Sequence, residues 1–337
     1  MDADRPAKRQ RVDEDDATPV QRSDIWFDDG NIILQAENLQ FRVHRSLLAR
    51  HSPVFKDVFC IPQPESSLEA LIEGCPVVHL TDKATDVEFM LTRLFGLASP
   101  ENLRKAPTVS ELIPSLRMGH KYLVAHLWDD SVACLRRAFP TDLKEMQEAM
   151  AKDSRLITKG EDATCIRLAD GDHLLHLVDV LVAVGLETVL PALYYRILWS
   201  TNVVRFFVFI RTDTIMNSDG VSDRARVILL GGRAKLLRLT TAHMKPWTNN
   251  EARTCNCHEQ RLQFYLSTID GMLPLGTWFD TQPTTVCARC RESYLRFVGI
   301  MRTRVYERLP KVFNLPFWRE LRDFSISEGS QVSLPAS

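Results

Sequence analysis

The chain has 337 residues, a formal net charge of -1, 45% hydrophobic residues and 25% charged residues. That length suits about two domains, and that composition suits an ordinary soluble core. A near-neutral balance gives no global attraction to nucleic acid or to an anionic membrane. The N-terminal MDADRPAKRQR has no apolar run behind it, so no signal peptide is expected. The eight scattered cysteines then suit reduced thiols of the cytoplasm or nucleus better than a disulfide framework. The most apolar tract, 174–210, is interrupted by Asp179, Glu187, Arg196 and Arg205. It is expected to supply core helices, with no membrane span.

Residues 1–22 are polar, with Lys8, Arg9 and Arg11 followed by Asp13, Glu14, Asp15 and Asp16. Such a segment buries too little apolar surface to order itself and is expected to be a disordered charged tail. PAKRQRVD also has the form of a short nuclear-import signal, with Lys8, Arg9 and Arg11 as its basic residues; a merely solubilising tail is the alternative.

The first domain is expected over 23–139. Ile32 and Leu34 alternate on one strand and Phe41 and Val43 on the next, with a turn at 36–38 between them. Leu47 and Leu48 mark a helix, and Ser52 caps a second one in which Pro53 takes the first position and Phe55, Val58 and Phe59 face inward. Two prolines, with Pro76 just beyond, mark 61–74 as a loop around a short helix. Val78 and Leu80 form a third strand, after which Thr81 or Asp82 caps a helix buried through Val87, Met90, Leu91 and Leu94. Two more helices are expected, near 109–118 and 120–139, the second with Leu123, Leu127, Val132 and Leu135 inward and stopped by Pro140. A small sheet with surrounding helices is an α+β plan.

The rest, 140–325, is expected to be mainly helical, with a Ser-rich flexible tail at 326–337. Helical candidates are 143–150, 174–184, 186–199, 262–269 and 294–305. The segment 166–168 is apolar and 170–172 a turn. Residues 203–210 suit a helix or a buried strand, and 227–230 are equally ambiguous.

SDIW at 23–26, FRVHRSLL at 41–48 and HSPVF at 51–55 resemble the opening of a BTB/POZ domain. VVHL at 77–80, the helix through Phe95 and the helix pair near 109–139 follow in that family's order. The whole chain is most similar to the BTB-containing proteins of mushroom-forming fungi, in which the domain precedes a helical region. The resemblance implies protein association, as homo- or hetero-oligomers, or by recruiting a cullin-3 ubiquitin-ligase scaffold while another domain captures substrate. Asp24 and His44 match recurrent polar positions near the dimer-facing side and the strand-to-helix corner. Asp24 would accept a hydrogen bond at a strand start, and His44 would satisfy a buried backbone group; purely structural roles are the alternative. Leu71-Ile72-Glu73 matches the hydrophobic-x-Glu element of cullin-binding relatives. Leu71 would be the exposed anchor and Glu73 would set register, unless Leu71 packs internally. Residues 1–22 lack the amphipathic helix that precedes the domain in many dimeric relatives.

Cys255-x-Cys257-His258 and Cys287-x-x-Cys290 form a metal constellation. Thiolates at such spacing reach one tetrahedral zinc when the fold joins the halves, with His258 as an alternative to one cysteine. Incidental thiols and a redox pair are the competing readings. Zinc held by four protein ligands leaves no position for water, so its role would be structural. Cys60, Cys75, Cys134 and Cys165 read as small core residues. His173 and His176 share a helix face, and His120 and His126 are in poor register for one metal; neither pair comes with a nucleophile. Gly231-Gly232 lacks the phosphate-loop pattern and reads as a turn. Arg233, Lys235 and Arg238 read as a solvated face, so no direct nucleic-acid contact is expected. The leading function is a non-enzymatic protein-interaction module acting as a scaffold or adaptor. A cullin-3 substrate adaptor, a nuclear transcription cofactor and an enzyme housed in the C-terminal half are the alternatives.

Overall fold

A computed structural model describes residues 19–60, 71–99, 106–156, 171–200, 223–249, 255–269, 274–275 and 282–326. Four strands, β1 (Gln21–Trp26), β2 (Ile32–Ala36), β3 (Leu39–Val43) and β4 (Val77–Leu80), form a sheet in the order β1-β3-β2-β4. β2 and β3 are an antiparallel hairpin, with Ile32 opposite Val43 and Ala36 opposite Leu39. Its two-residue turn places Glu37 at φ 51, a left-handed position that a tight hairpin requires. β1 joins β3 in parallel and β4 joins β2 in parallel. The hairpin and β4 match the expected alternation. β1, which the resemblance had start at Asp24, begins ahead of Ser23: in QRSDIW only Ile25 is buried, so this edge strand shows almost no period-2 signal.

Helices α1 (Arg45–His51) and α2 (Pro53–Cys60) follow the sheet. Ser52 is the predicted cap, its Oγ accepting from the Phe55 backbone at 3.0 Å and donating to the Tyr122 carbonyl at 2.6 Å. Phe55 is buried, but Val58 faces solvent, contrary to expectation. Residues 61–70, where a short helix was expected, lie outside the described residues. Helix α3 (Ala84–Leu94) buries Val87, Met90, Leu91 and Leu94 as expected. Its cap is neither Thr81 nor Asp82. Glu37, from the hairpin turn, accepts from the Ala84 backbone at 3.0 Å. Asp82 instead accepts from Lys121 Nζ at 2.7 Å and from the Tyr122 hydroxyl at 2.5 Å.

Helix α4 (Val109–Lys121) starts on a reciprocal capping box. The Thr108 backbone donates to Glu111 at 2.7 Å, and the Glu111 backbone donates to the Thr108 hydroxyl at 3.3 Å. His120 belongs to this helix, and the next, α5 (Ala125–Ala138), starts later than predicted. Between them Leu123 turns the chain at φ 52 and is not part of a helical stripe.

The C-terminal region is helical: α6 (Leu143–Leu156), α7 (Gly171–Ala183), α8 (Leu190–Ser200), α9 (Asp223–Thr248), α10 (His258–Ile269), α11 (Ala288–Glu307) and α12 (Leu309–Val312). The apolar segments 166–168 and 203–210 lie outside the described residues, as does Asp170 of the predicted turn; Gly171 opens α7. The ambiguous 227–230 and the predicted Gly231-Gly232 turn both lie inside α9. Gly232 is there for contact: a Cβ would come 2.4 Å from Cε1 of buried Phe313. Lys235 is not simply solvated either, since its Nζ donates to the Val312 carbonyl at 3.2 Å and to Asn314 Oδ1 at 2.6 Å, capping the end of α12.

Among the described residues, two apolar clusters hold the protein together. One joins the sheet, α1, α2 and α3 to Met118, Tyr122, Val124 and Leu127. The other joins the opposite residues of the same two helices, Val109, Leu112, Leu116, Trp128, Val132 and Leu135, to α7, α8, α9 and α11. Helices α4 and α5 are therefore shared between the halves. Among the described residues no helix is long and apolar enough to cross a membrane.

Candidate functional site

The four cysteines of the two short-spaced pairs converge, their sulfur atoms all lying within 4.8 Å of one another. Each pair sits at a helix start. Cys257 precedes α10 and its carbonyl accepts from the Arg261 backbone at 3.0 Å; Cys287 is the N-terminal flank of α11 and its carbonyl accepts from Arg291 at 3.0 Å. The halves meet directly, with Cys255 Sγ 3.3 Å from Cys290 Sγ and the Cys287 backbone donating to Cys257 Sγ at 3.3 Å. Helix N-termini favour negative charge, which suits thiolates. The Cys287 thiol is lowered to about 7 by its hydrogen bond from the Cys290 backbone, whereas burial pushes Cys290 up to about 12.

This donor set fits a tetrahedral thiophilic metal. A Zn–S bond of about 2.3 Å implies tetrahedral sulfur separations of roughly 3.8 Å, close to the observed spread. His258 is exposed on the first turn of α10 and is not part of the cluster. Sequence reasoning missed the aromatic support. Trp247 of α9 donates its indole N–H to the Cys290 carbonyl at 3.0 Å. Its ring packs 5.1 Å from Tyr294 and 6.1 Å from Phe264, and those two meet edge-on at 5.4 Å. The available signal was Phe264 and Tyr294 one or two turns after each cysteine pair. Of the other cysteines, Cys75 and Cys134 are buried as expected but Cys60 is exposed, and Cys165 lies outside the described residues.

Glu73 sits in a tight turn closed by pairing of Ile72 with Cys75 just before β4, and Leu71 immediately precedes that turn. Leu71 is 64% exposed and so does not pack internally. Glu73, at φ 49, pairs with Arg22 of β1 and with Arg42 of β3, the latter at 3.0 Å. Asp24 lies in mid-strand on β1, exposed, rather than at a strand start. His44 does not reach a buried backbone group: Nε2 is 3.4 Å from Asp29 Oδ1, and its ring packs 5.3 Å from Phe27 and 6.4 Å from Phe95. The open Arg45 backbone N–H at the start of α1 donates to Asn31 Oδ1 instead, at 2.8 Å. His126 pairs with His51 at 5.4 Å and not with His120, whose ring lies 4.4 Å from Phe324. The side chain of His173 lies outside the described residues.

No curated protein sequence matches the chain. The BTB/POZ domain profile matches residues 27–132, from the end of β1 into α5. The mixed sheet and the helices packed on it are thus a BTB/POZ domain, a non-catalytic protein-interaction module, followed by a mainly helical region that carries a four-cysteine cluster.

Proposed function

We propose that this chain is a non-enzymatic adaptor that binds a cullin-3-type scaffold through its BTB/POZ domain. Its C-terminal helices, held by a structural zinc on Cys255, Cys257, Cys287 and Cys290, present a second partner. The observation that carries the scaffold half is Leu71, a large apolar side chain left 64% exposed next to a turn that Glu73 pins to two strands. An exposed anchor next to an ordered turn loses less ordering entropy when it binds. The zinc half rests on the convergence of four sulfurs at two helix starts.

Calorimetric titration of the purified full chain with the N-terminal domain of cullin-3 tests the adaptor. Saturable binding is expected, weakened roughly ten-fold by Leu71→Ala, about the loss of one apolar anchor. A folded sample that shows no heat sinks it. Weight then passes to a scaffold or nuclear transcription cofactor, a reading favoured by the basic Lys8, Arg9 and Arg11. Deleting residues 1–18 would lower the nuclear fraction under that reading, and equal fractions would remove its support. The order of a BTB/POZ domain and then a helical region is also what favours a kinship with the fungal proteins.

A further inference from the structure

The two halves are stitched together by a short extended segment near the end of the described chain. Asp323 is bridged antiparallel to Leu186, in the turn between α7 and α8. The Phe324 backbone donates to the Gly185 carbonyl at 2.9 Å, and the Glu187 backbone donates to the Arg322 carbonyl at 3.2 Å. The Asp323 carboxylate, 8% exposed, accepts from the Thr188 backbone at 2.9 Å, from the Thr188 hydroxyl at 2.6 Å and from Arg136 of α5 at 2.8 Å. The Phe324 ring stands edge-on to His120 of α4 at 4.4 Å and to Trp128 of α5 at 5.4 Å.

Strand-like backbone pairing is one way proteins bind extended peptides, and a carboxylate held by a cation with a hydroxyl and a backbone N–H, and an aromatic ring in an aromatic corner, are side-chain contacts that add specificity to it. We propose that this seam is a peptide-docking groove, filled in cis by residues 322–324. A partner presenting an extended segment with an aspartate followed by an aromatic residue competes for it. Its floor comes from the BTB/POZ helices and its edge from the C-terminal region, so occupancy by a partner replaces the tie between the halves. Release need not disturb the chain before it. Trp318 stays seated independently, its indole donating to the Tyr306 carbonyl at 2.8 Å and its ring stacked on Tyr306 at 5.0 Å.

The test is fluorescence anisotropy of a labelled peptide of residues 319–327 added to the full chain. A chain carrying Asp323→Ala and Phe324→Ala, whose own segment no longer competes, should bind the peptide at least about ten-fold more tightly than the unaltered chain does. Replacing the peptide's aspartate or phenylalanine by alanine, or adding Arg136→Gln to the chain, should weaken binding by about ten-fold or more. No saturable binding, or binding indifferent to both peptide residues, overturns the proposal. Should the double variant fail to fold, hydrogen exchange of the unaltered chain with excess peptide decides. Faster exchange at 322–324, with 185–188 still protected, supports the groove, and unchanged exchange at 322–324 overturns it.

Discussion

The BTB/POZ domain and the C-terminal region reach stability by different routes. The domain starts from neighbours in sequence, with a two-residue hairpin, a serine cap between adjacent helices, and apolar side chains alternating on one face of a sheet, and longer ties such as Glu37 with Ala84 and Ser52 with Tyr122 then close it. The C-terminal region is tied by pairs far apart in the chain, such as Cys255 with Cys290, Tyr195 with Leu275, and Arg136 with Asp323. Distant ties must overcome loop-closure entropy before they stabilise anything. Helix packing that depends on them benefits most from a metal, whose binding energy enters the fold directly.

The largest way to break that contrast is to remove the metal. Purified protein should contain one zinc per chain, and chelation should loosen α10 and α11 while leaving the sheet protected from hydrogen exchange. Structural zinc is worth on the order of 10 kcal/mol of apparent binding free energy near neutral pH. Cys287→Ala should abolish retention of the metal. Acid should do the same. Protons compete for thiolates, so zinc is held at neutral and alkaline pH and lost as pH falls, and the burial that pushes Cys290 up strengthens that competition. A folded, metal-free preparation whose exchange does not respond to added zinc would contradict the whole contrast. The matching perturbation in the other half is Phe55→Ala. Phe55 is fully buried and stacks on Tyr122 at 4.5 Å, so its truncation should cost about 3–5 kcal/mol. A thermal melt checks it, and a loss below 1 kcal/mol, as at exposed sites, would mean that the ring is not core.

The same contrast explains what could be read from the sequence. Ile32, Leu34, Phe41 and Val43 announce their strands because alternation is local, and Ser52-Pro53 announces a helix start for the same reason. The cysteine pairs were legible through spacing alone. Their convergence was not, because it depends on α10 and α11 both packing on α9 around Trp247. β1 was indicated only through the resemblance at Asp24, because an edge strand with one buried residue has no alternation to show. The break at Leu123 carries neither glycine nor proline, the usual marks of a left-handed turn. Glu37 capping α3 is a contact across 47 positions, which no window on the sequence contains. Gly231-Gly232 misled in the opposite direction, since glycine marks either a turn or a close approach, and only Phe313 tells which.

That close approach supplies a smaller test, confined to the C-terminal region. Gly232→Ala puts a methyl group against a buried ring, and overpacking of this kind costs about 1–3 kcal/mol. The midpoint of denaturant unfolding should fall accordingly. Gly231→Ala, one residue away with open space around it, should be neutral or slightly stabilising, because alanine favours the helix by about 1 kcal/mol. Equal effects at the two positions would place Phe313 elsewhere.

The smallest expected effect sharpens the comparison most, because it asks whether the halves are separate at all. Thr108→Ala removes the hydroxyl that accepts from the Glu111 backbone at the start of α4, a loss of about 1 kcal/mol. Helix α4 sends Val109, Leu112 and Leu116 into the C-terminal cluster and Met118 into the cluster beneath the sheet. If that shared helix couples the two cores, the small loss should appear in both. Denaturant midpoints followed by hydrogen exchange of the α9 and α11 amides should then move together with those followed by exchange of the sheet amides. Two transitions, of which only one shifts, would show that the cores unfold independently.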